Sequence, residues 1–262
     1  MLTSFRKLSM QNLKDYKSFA KHLSEISAEV IRKYFRTSIK VDSKSDDSPV
    51  TIADKKAEEI MREAILKNFP GHGIIGEEFG IENPDAEYKW ILDPIDGTKS
   101  FICGTITFGT LIALTQNGKP ILGVINQPIM NDFLIGDNSS TELNGEKVFL
   151  RECKSISEAV LITADHFNVK KYQEGKKFEE LAQKVKLYRG WGDCYGYYLL
   201  ATGYADIVVD PIMNIWDSAA LIPVVLGAGG IITDWQGNDA IQGNSIVASS
   251  SIIHDHVIKE LN

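Results

Sequence analysis

The chain has 262 residues, 44% hydrophobic and 24% charged, the composition of an ordinary globular protein with enough length for a large core. Its formal net charge of -7, from 28 Lys and Arg against 35 Asp and Glu, and the lack of any dense Lys/Arg run argue against a nucleic-acid surface, because phosphate backbones are held by clustered cations. Cys103, Cys153 and Cys194 include no CxxC pair and no apolar run reaches the roughly 18 residues of a membrane span, so free thiols and a soluble, cytoplasmic protein are expected.

From Leu13 to Tyr34, apolar residues recur at three- and four-residue steps, which predicts a helix. The polar stretch "VDSKSDDSP" follows as a loop, and a second helical pattern begins near Thr51, carries Ala53, Ala57, Ile60, Ala64 and Ile65, and stops at "FPGHG". Strand-like segments come next: "GIIGEE", "KWILD", "FGTLIALTQ", "PILGVINQP" and "DFLIGD", with "QNGKP" a hairpin turn. Beyond Asn144 the pattern is mixed, with strands near "AVLITAD", "VKLYRG", "ADIVVDP" and "GGIITD". Helices are predicted around "KFEELAQKV", from Cys194 to Thr202, over "DSAALIPVVLGAGG" and at the C-terminus, where His254 and His256 read as solvated. This order predicts a layered α+β architecture with an N-terminal half over 1–140 and a C-terminal half over 141–262.

Acids gather at the ends of these elements. Glu77 and Glu78 close "GIIGEE", Asp93 and Asp96 stand on either side of Pro94 and Ile95 at a strand end, and Asp217 sits where a helix begins. Such a set, with few His and no Cys pair, suits a hard divalent cation with oxygen ligands, and Mg²⁺ is the usual choice beside a phosphate. Any one of these acids could instead be a turn former or a cap, and Asp217 has the makings of an N-cap. The pair Asp93/Asp96 is different because Gly97 and Thr98 follow it: glycine permits close backbone approach, and a helix starting there points free N–H groups at an anion. Thr98 before Lys99 rules out a nucleotide-binding P-loop. The three-residue step between the aspartates differs from the two-residue step of an aspartyl-phosphate enzyme of the haloacid dehalogenase type.

"GEE" at 76–78, "DPIDGT" at 93–98 and "WD" at 216–217, after "SPVTIAD", resemble the signatures of the inositol monophosphatase superfamily of Mg²⁺-dependent phosphatases over nearly the whole chain. The resemblance implies a layered αβαβα sandwich, commonly dimeric, and two or three Mg²⁺ ions held by Glu77, Asp93, the carbonyl of Ile95, Asp96 and Asp217. It further implies that Gly97 and Thr98 hold the phosphate through backbone N–H groups, that Glu77 and Thr98 orient the attacking water, and that Asp54 helps to place a metal-bound water. Lys44 and "DSKSDDSP" would form either a loop closing over the metals or an ordinary solvated loop.

The family takes several phosphate esters, so the leaving-group side must choose among them. Asp210, seven positions before Asp217, occupies the place of the acid that contacts substrate in the family. "WGDCYGY" and "DPIDGTKSF" look like the corresponding stretches of histidinol-phosphate phosphatases, which implies substrate contacts from Gly192, Asp193, Cys194 and Asp210. Histidinol phosphate carries an ammonium and a titratable imidazole, which carboxylates would pair with. Asp193 reads equally as the N-cap of a helix starting at Cys194, and Trp191 and Tyr195 as core aromatics. The expectation is a histidinol-phosphate phosphatase. An inositol monophosphatase or broader sugar phosphatase, and a catalytically silent phosphate- or metal-binding regulator, are the alternatives.

Overall fold

Alternation of side chains along Tyr88–Asp96 sets the layering of the molecule: Trp90 and Leu92 turn to one face and Ile91 to the other. A buried Leu, Ile or Trp contributes about 1.5–3 kcal/mol, so a strand apolar on both faces must be covered on both. The computed structural model describes residues 2–38, 40–43 and 49–262.

The first half runs α1 (Leu2–Tyr34), β1 (Val41–Ser43), β2 (Pro49–Thr51), α2 (Ile52–Asn68), β3 (Gly73–Gly76), β4 (Gly80–Glu82), β5 (Tyr88–Asp96) and α3 (Thr98–Ile102). It continues with β6 (Gly109–Gln116), β7 (Lys119–Gln127), β8 (Asp132–Gly136), β9 (Thr141–Leu143) and β10 (Glu146–Lys147). The second half holds β11 (Val160–Ile162), α4 (His166–Tyr172), α5 (Gly175–Lys184), β12 (Leu187–Arg189), α6 (Asp193–Ala201) and β13 (Ile207–Asp210). It closes with α7 (Ile215–Ser218), α8 (Leu221–Gly227), β14 (Gly230–Thr233), β15 (Ile246–Ser250) and α9 (His254–Leu261).

Eight strands form one sheet in the order β10-β9-β8-β7-β6-β5-β3-β4, and five form the other, β12-β11-β13-β15-β14. One core lies between α1, α2 and the first sheet, where Tyr16, Leu23, Met61 and Ile65 meet Trp90, Leu92, Ile112 and Leu114. A second, built on Tyr197 and Leu200 of α6 and Leu221 and Val224 of α8, fills the space between the two sheets. Val169, Phe178, Leu181, Val257 and Leu261 of α4, α5 and α9 cover the far side of the second sheet. This is the αβαβα sandwich. The first sheet runs through Lys147, a few residues past the boundary drawn at 140. No described helix is long and apolar enough to cross a membrane.

Several local expectations change. "VDSKSDDSP" is not all loop: its flanks pair as β1 and β2, with Asp42 opposite Val50. Lys44 and residues 45–48, the candidate lid, lie outside the described residues. The helix read over "DSAALIPVVLGAGG" is two helices, because Pro223 has no N–H to return to the preceding turn and is tolerated only in the first turn of α8. His256 is solvated, but His254 is buried between Thr233 Oγ1 and Ser249 Oγ, each 3.0 Å from one of its ring nitrogens.

Candidate metal and phosphate site

Residues three apart on a regular strand face opposite sides of the sheet, so Asp93 and Asp96 should diverge. They converge because β5 bulges between them: Asp93 pairs with Leu111 and Asp96 with Gly109, leaving Pro94 and Ile95 opposite the single residue Thr110. Pro94 gives up no ladder donor there, and its carbonyl instead accepts the Thr110 hydroxyl at 2.9 Å. The Ile95 N–H returns to Asp93 Oδ1 at 3.0 Å, which fixes that carboxylate beneath the bulge. Gly97 then turns the chain into α3 at φ +87°, a conformation that favours glycine, and a Cβ there would stand 2.8 Å from Asp193 Oδ2.

Asp217 arrives from the second half of the chain. It is not an N-cap: Asn214 holds that place in α7, and Asp217, three residues on, accepts the Asn214 N–H at 2.7 Å. Oxygens of Asp93, Asp96 and Asp217 all come within 4.8 Å of one another. Glu77 emerges from β3 beside β5, its N–H on the Leu92 carbonyl at 3.2 Å, and its charge bears on Asp93 and Asp217.

The turn that carries Glu77 has a buttress absent from the sequence reading. Glu58 of α2 is fully buried and accepts the N–H groups of Glu78 at 2.8 Å and Phe79 at 3.1 Å. Arg62 pairs with the same carboxylate at 2.8 Å and also donates to the Gly80 carbonyl. Gly76 makes room, since a Cβ there would meet Glu58 Oε1 at 1.9 Å. A signal was available: Glu58 and Arg62 stand one helical turn apart among the apolar residues Ala57, Met61 and Ile65, where an ion pair has a reason to be.

Burial pushes the carboxyls of Asp93 and Asp96 well above the ordinary range, and their acidic neighbours push further. Burial, with Glu77 and Asp193 nearby, takes Asp217 to about 7 despite the bond from Asn214. No Lys, Arg or His among the described residues forms an ion pair with Asp93, Asp96 or Asp217. A group of hard oxygen donors, one buried and two part-buried, that repel one another fits a divalent metal ion, whose charge would relieve the repulsion.

Above these acids opens a cavity of about 370 Å³. The first half of the chain contributes Glu77, Asp96, Gly97, Thr98, Lys99 and Ser100 to its wall, and the second half contributes Ala164, Asp165, Asn168, Gly192, Asp193, Asp210 and Asp217. Thr98 Oγ1 reaches the Ile95 carbonyl at 3.1 Å and Asp54 Oδ1 at 3.4 Å. Asp54 is also the third residue of α2, where its other oxygen accepts from Thr51 N at 2.9 Å and Thr51 Oγ1 at 2.6 Å. Asp54 therefore ties the start of α2 to the start of α3.

On the second wall the candidate substrate residues separate. Gly192 and Asp193 line the cavity, but Gly192 is the N-cap and Asp193 the first residue of α6, held at φ +50° with its Oδ2 accepting from Ser100 Oγ at 3.2 Å. Asp210 lines it too, with both oxygens engaged, by Ala164 N at 3.1 Å and Tyr197 OH at 2.8 Å, and burial raises its pKa to about 7. Cys194 does not line it: the thiol is buried against Gly109 and Gln127, and the residue serves the site from behind, its backbone N–H and its thiol both turned to the Asp96 carboxylate. The helix that brings Asp193 to the surface turns the next side chain inward. Trp191 is no core residue, being 49% exposed with the Arg189 guanidinium over its ring, whereas Tyr195 stacks on Tyr198 at the edge of the middle core. Asp165 and Asn168, which the sequence reading passed over, carried only the signal of an Asp placed before a short helix.

The sequence model of the Inositol monophosphatase family matches residues 12–262. The chain is 44% identical to the chloroplastic bifunctional phosphatase IMPL2 of Arabidopsis thaliana, over 97% of this chain and 77% of that one. It is 38% identical to the histidinol-phosphatase of Chlorobaculum parvum, over 91% and 93%. Its structure overlays on an inositol monophosphatase from Zymomonas mobilis with a TM-score of 0.85 at 38% identity, covering 95% of this chain and 98% of that chain.

Proposed function

The chain belongs to the inositol monophosphatase family and is a phosphoric monoester hydrolase, and we propose that it hydrolyses histidinol phosphate to histidinol and phosphate with Mg²⁺ bound at Asp93, Asp96, Asp217, Glu77 and the Ile95 carbonyl. The observation that carries the substrate reading is Asp193, a carboxylate packed against Gly97 on the wall facing the phosphate-binding turn. An ammonium or imidazolium on the leaving group gains from that charge, and a polyol gains less. A relative that covers most of the chain is named a histidinol-phosphatase.

The bound metal would neutralise the carboxylates and the phosphate together and sharpen a water as nucleophile by Lewis-acid polarisation. The N–H groups of Gly97 and Thr98 hold the phosphate oxygens at the turn into α3. The Thr98 hydroxyl, kept in place by Ile95 and Asp54, and the Glu77 carboxylate orient the attacking water in line with the ester bond. Hydrolysis is direct, with no covalent intermediate on the protein.

A second reading, turnover of a neutral inositol phosphate, is favoured by Asp210, whose two oxygens are already taken by Tyr197 and Ala164. Phosphate release from histidinol phosphate, inositol 1-phosphate, fructose 1,6-bisphosphate and adenosine 3′,5′-bisphosphate, with and without Mg²⁺, separates the two. Mg²⁺-dependent preference for histidinol phosphate is the expected result; a flat profile or a preference for inositol 1-phosphate overturns the substrate reading.

A further inference from the structure

Besides the candidate metal ligand Asp217, three carboxylates of the second half of the chain, Asp165, Asp193 and Asp210, reach the cavity, and they differ in what their oxygens have left to offer. Asp210 is saturated by Tyr197 and Ala164. Asp193 receives Ser100 and lies against Gly97, close to where the chain turns into α3. Asp165 spends Oδ1 on the N–H of Phe167 at 2.9 Å, while its Oδ2 accepts no hydrogen bond from the described residues and faces the ammonium of Lys99 at 4.0 Å. That separation is too long for a hydrogen bond, so the Lys99 charge lies near the carboxylate without consuming its acceptor. The side chain of Asp165 is 38% exposed, enough for a ligand to reach it. Asn168, one turn further along α4, lines the same wall.

Resting on the substrate reading above, we propose that Asp165 is the specificity-determining residue for the cationic leaving group: its Oδ2 accepts from the ammonium or imidazolium of the ester, and the Lys99 ammonium stands beside it as the tethered cation that the ligand displaces. The recognised chemistry is a positive nitrogen on the alcohol part of the ester, presented away from the phosphate. Asp193, tied to Ser100 beside Gly97, supplies negative charge next to the phosphate turn, and Asp165 adds the free acceptor that contacts the cation directly. Because the carboxylate is part exposed, the discrimination it supplies is moderate.

Two variants test this through the ratio of kcat/KM for histidinol phosphate to kcat/KM for inositol 1-phosphate. Asp165→Asn keeps a side-chain oxygen for the Phe167 N–H, Asn being as good an N-cap as Asp, and removes only the charge. The ratio is expected to fall about tenfold, through KM more than kcat, and competitive inhibition by histidinol, which has the cation and no phosphate, should weaken by a similar factor. Lys99→Met should move the ratio the other way, by a few fold, since the competing cation is gone. A wild-type ratio that survives Asp165→Asn, or an equal loss on both esters, overturns the role of Asp165 and leaves the substrate reading standing. A wild-type enzyme indifferent to the two esters overturns the substrate reading and the inference together.

Discussion

The two walls of the cavity are built in different ways. The first is built, apart from Glu77, mainly on one short run, Asp93 to Ser100, where a bulge, a left-handed glycine and a helix start place two aspartates, a carbonyl and two N–H groups within a few residues of one another. The second is gathered from 164–168, 190–193, 210–213 and Asp217, segments that meet only because β11, β13 and the starts of α6 and α7 end at the same edge of the second sheet. Charge follows the same division. Asp93, Asp96 and Asp217 raise one another and pair with no cation among the described residues, whereas Asp193, Asp210 and Asp165 are engaged one by one with Ser100, Tyr197, Ala164 or the N–H of Phe167. On the function proposed above, the contrast separates chemistry common to any phosphate ester from the reading of one particular alcohol.

The sharpest way to break that contrast is Asp93→Asn, which should lower turnover about a thousandfold on every ester in the same proportion. It should not lower the melting temperature of the metal-free protein, because it deletes one of several mutually repelling carboxylates, but it should abolish most of the rise in melting temperature that Mg²⁺ gives the wild type. Calorimetry with and without Mg²⁺, beside phosphate release, checks both; a loss confined to one ester would blur the two walls into one.

Glu58→Gln probes the first wall from behind. The amide leaves Arg62 with only the half-exposed Glu82 carboxylate at 3.5 Å and turns a donor toward the N–H of either Glu78 or Phe79, so unfolding in urea should show a loss of about 3 kcal/mol. The Mg²⁺ concentration for half-maximal activity should rise as Glu77 shifts, by about tenfold. An unchanged Mg²⁺ requirement in a destabilised variant would make Glu58 purely structural.

The smallest effect belongs far from either wall, at His254. Burial holds its pKa below the ordinary 6.5, so the folded protein keeps the ring neutral where the unfolded chain takes up a proton. Its contribution is complete above the unfolded value and is lost as pH falls below about 6.5, each unit of depression being worth about 1.4 kcal/mol. His254→Gln should flatten that slope of stability against pH in denaturant titrations, and a slope unchanged in the variant would assign it to other groups.

Sequence alone determined the layered α+β class, most of the strands and the identity of the acids under the first wall. Those features rest on local periodicity and on a contiguous motif whose residues meet wherever the strand is placed. It could not decide that Asp93 and Asp96 face the same way, because that depends on Gly109 and Leu111 pairing across the bulge. Nor could it show that Glu58 braces the turn of Glu77, that Cys194 turns inward, or that Asp165 lines the cavity with one oxygen unsaturated. Side-chain direction and saturation are set by which segments pack together over separations such as the 98 positions between Asp96 and Cys194, and only the tertiary structure fixes those meetings.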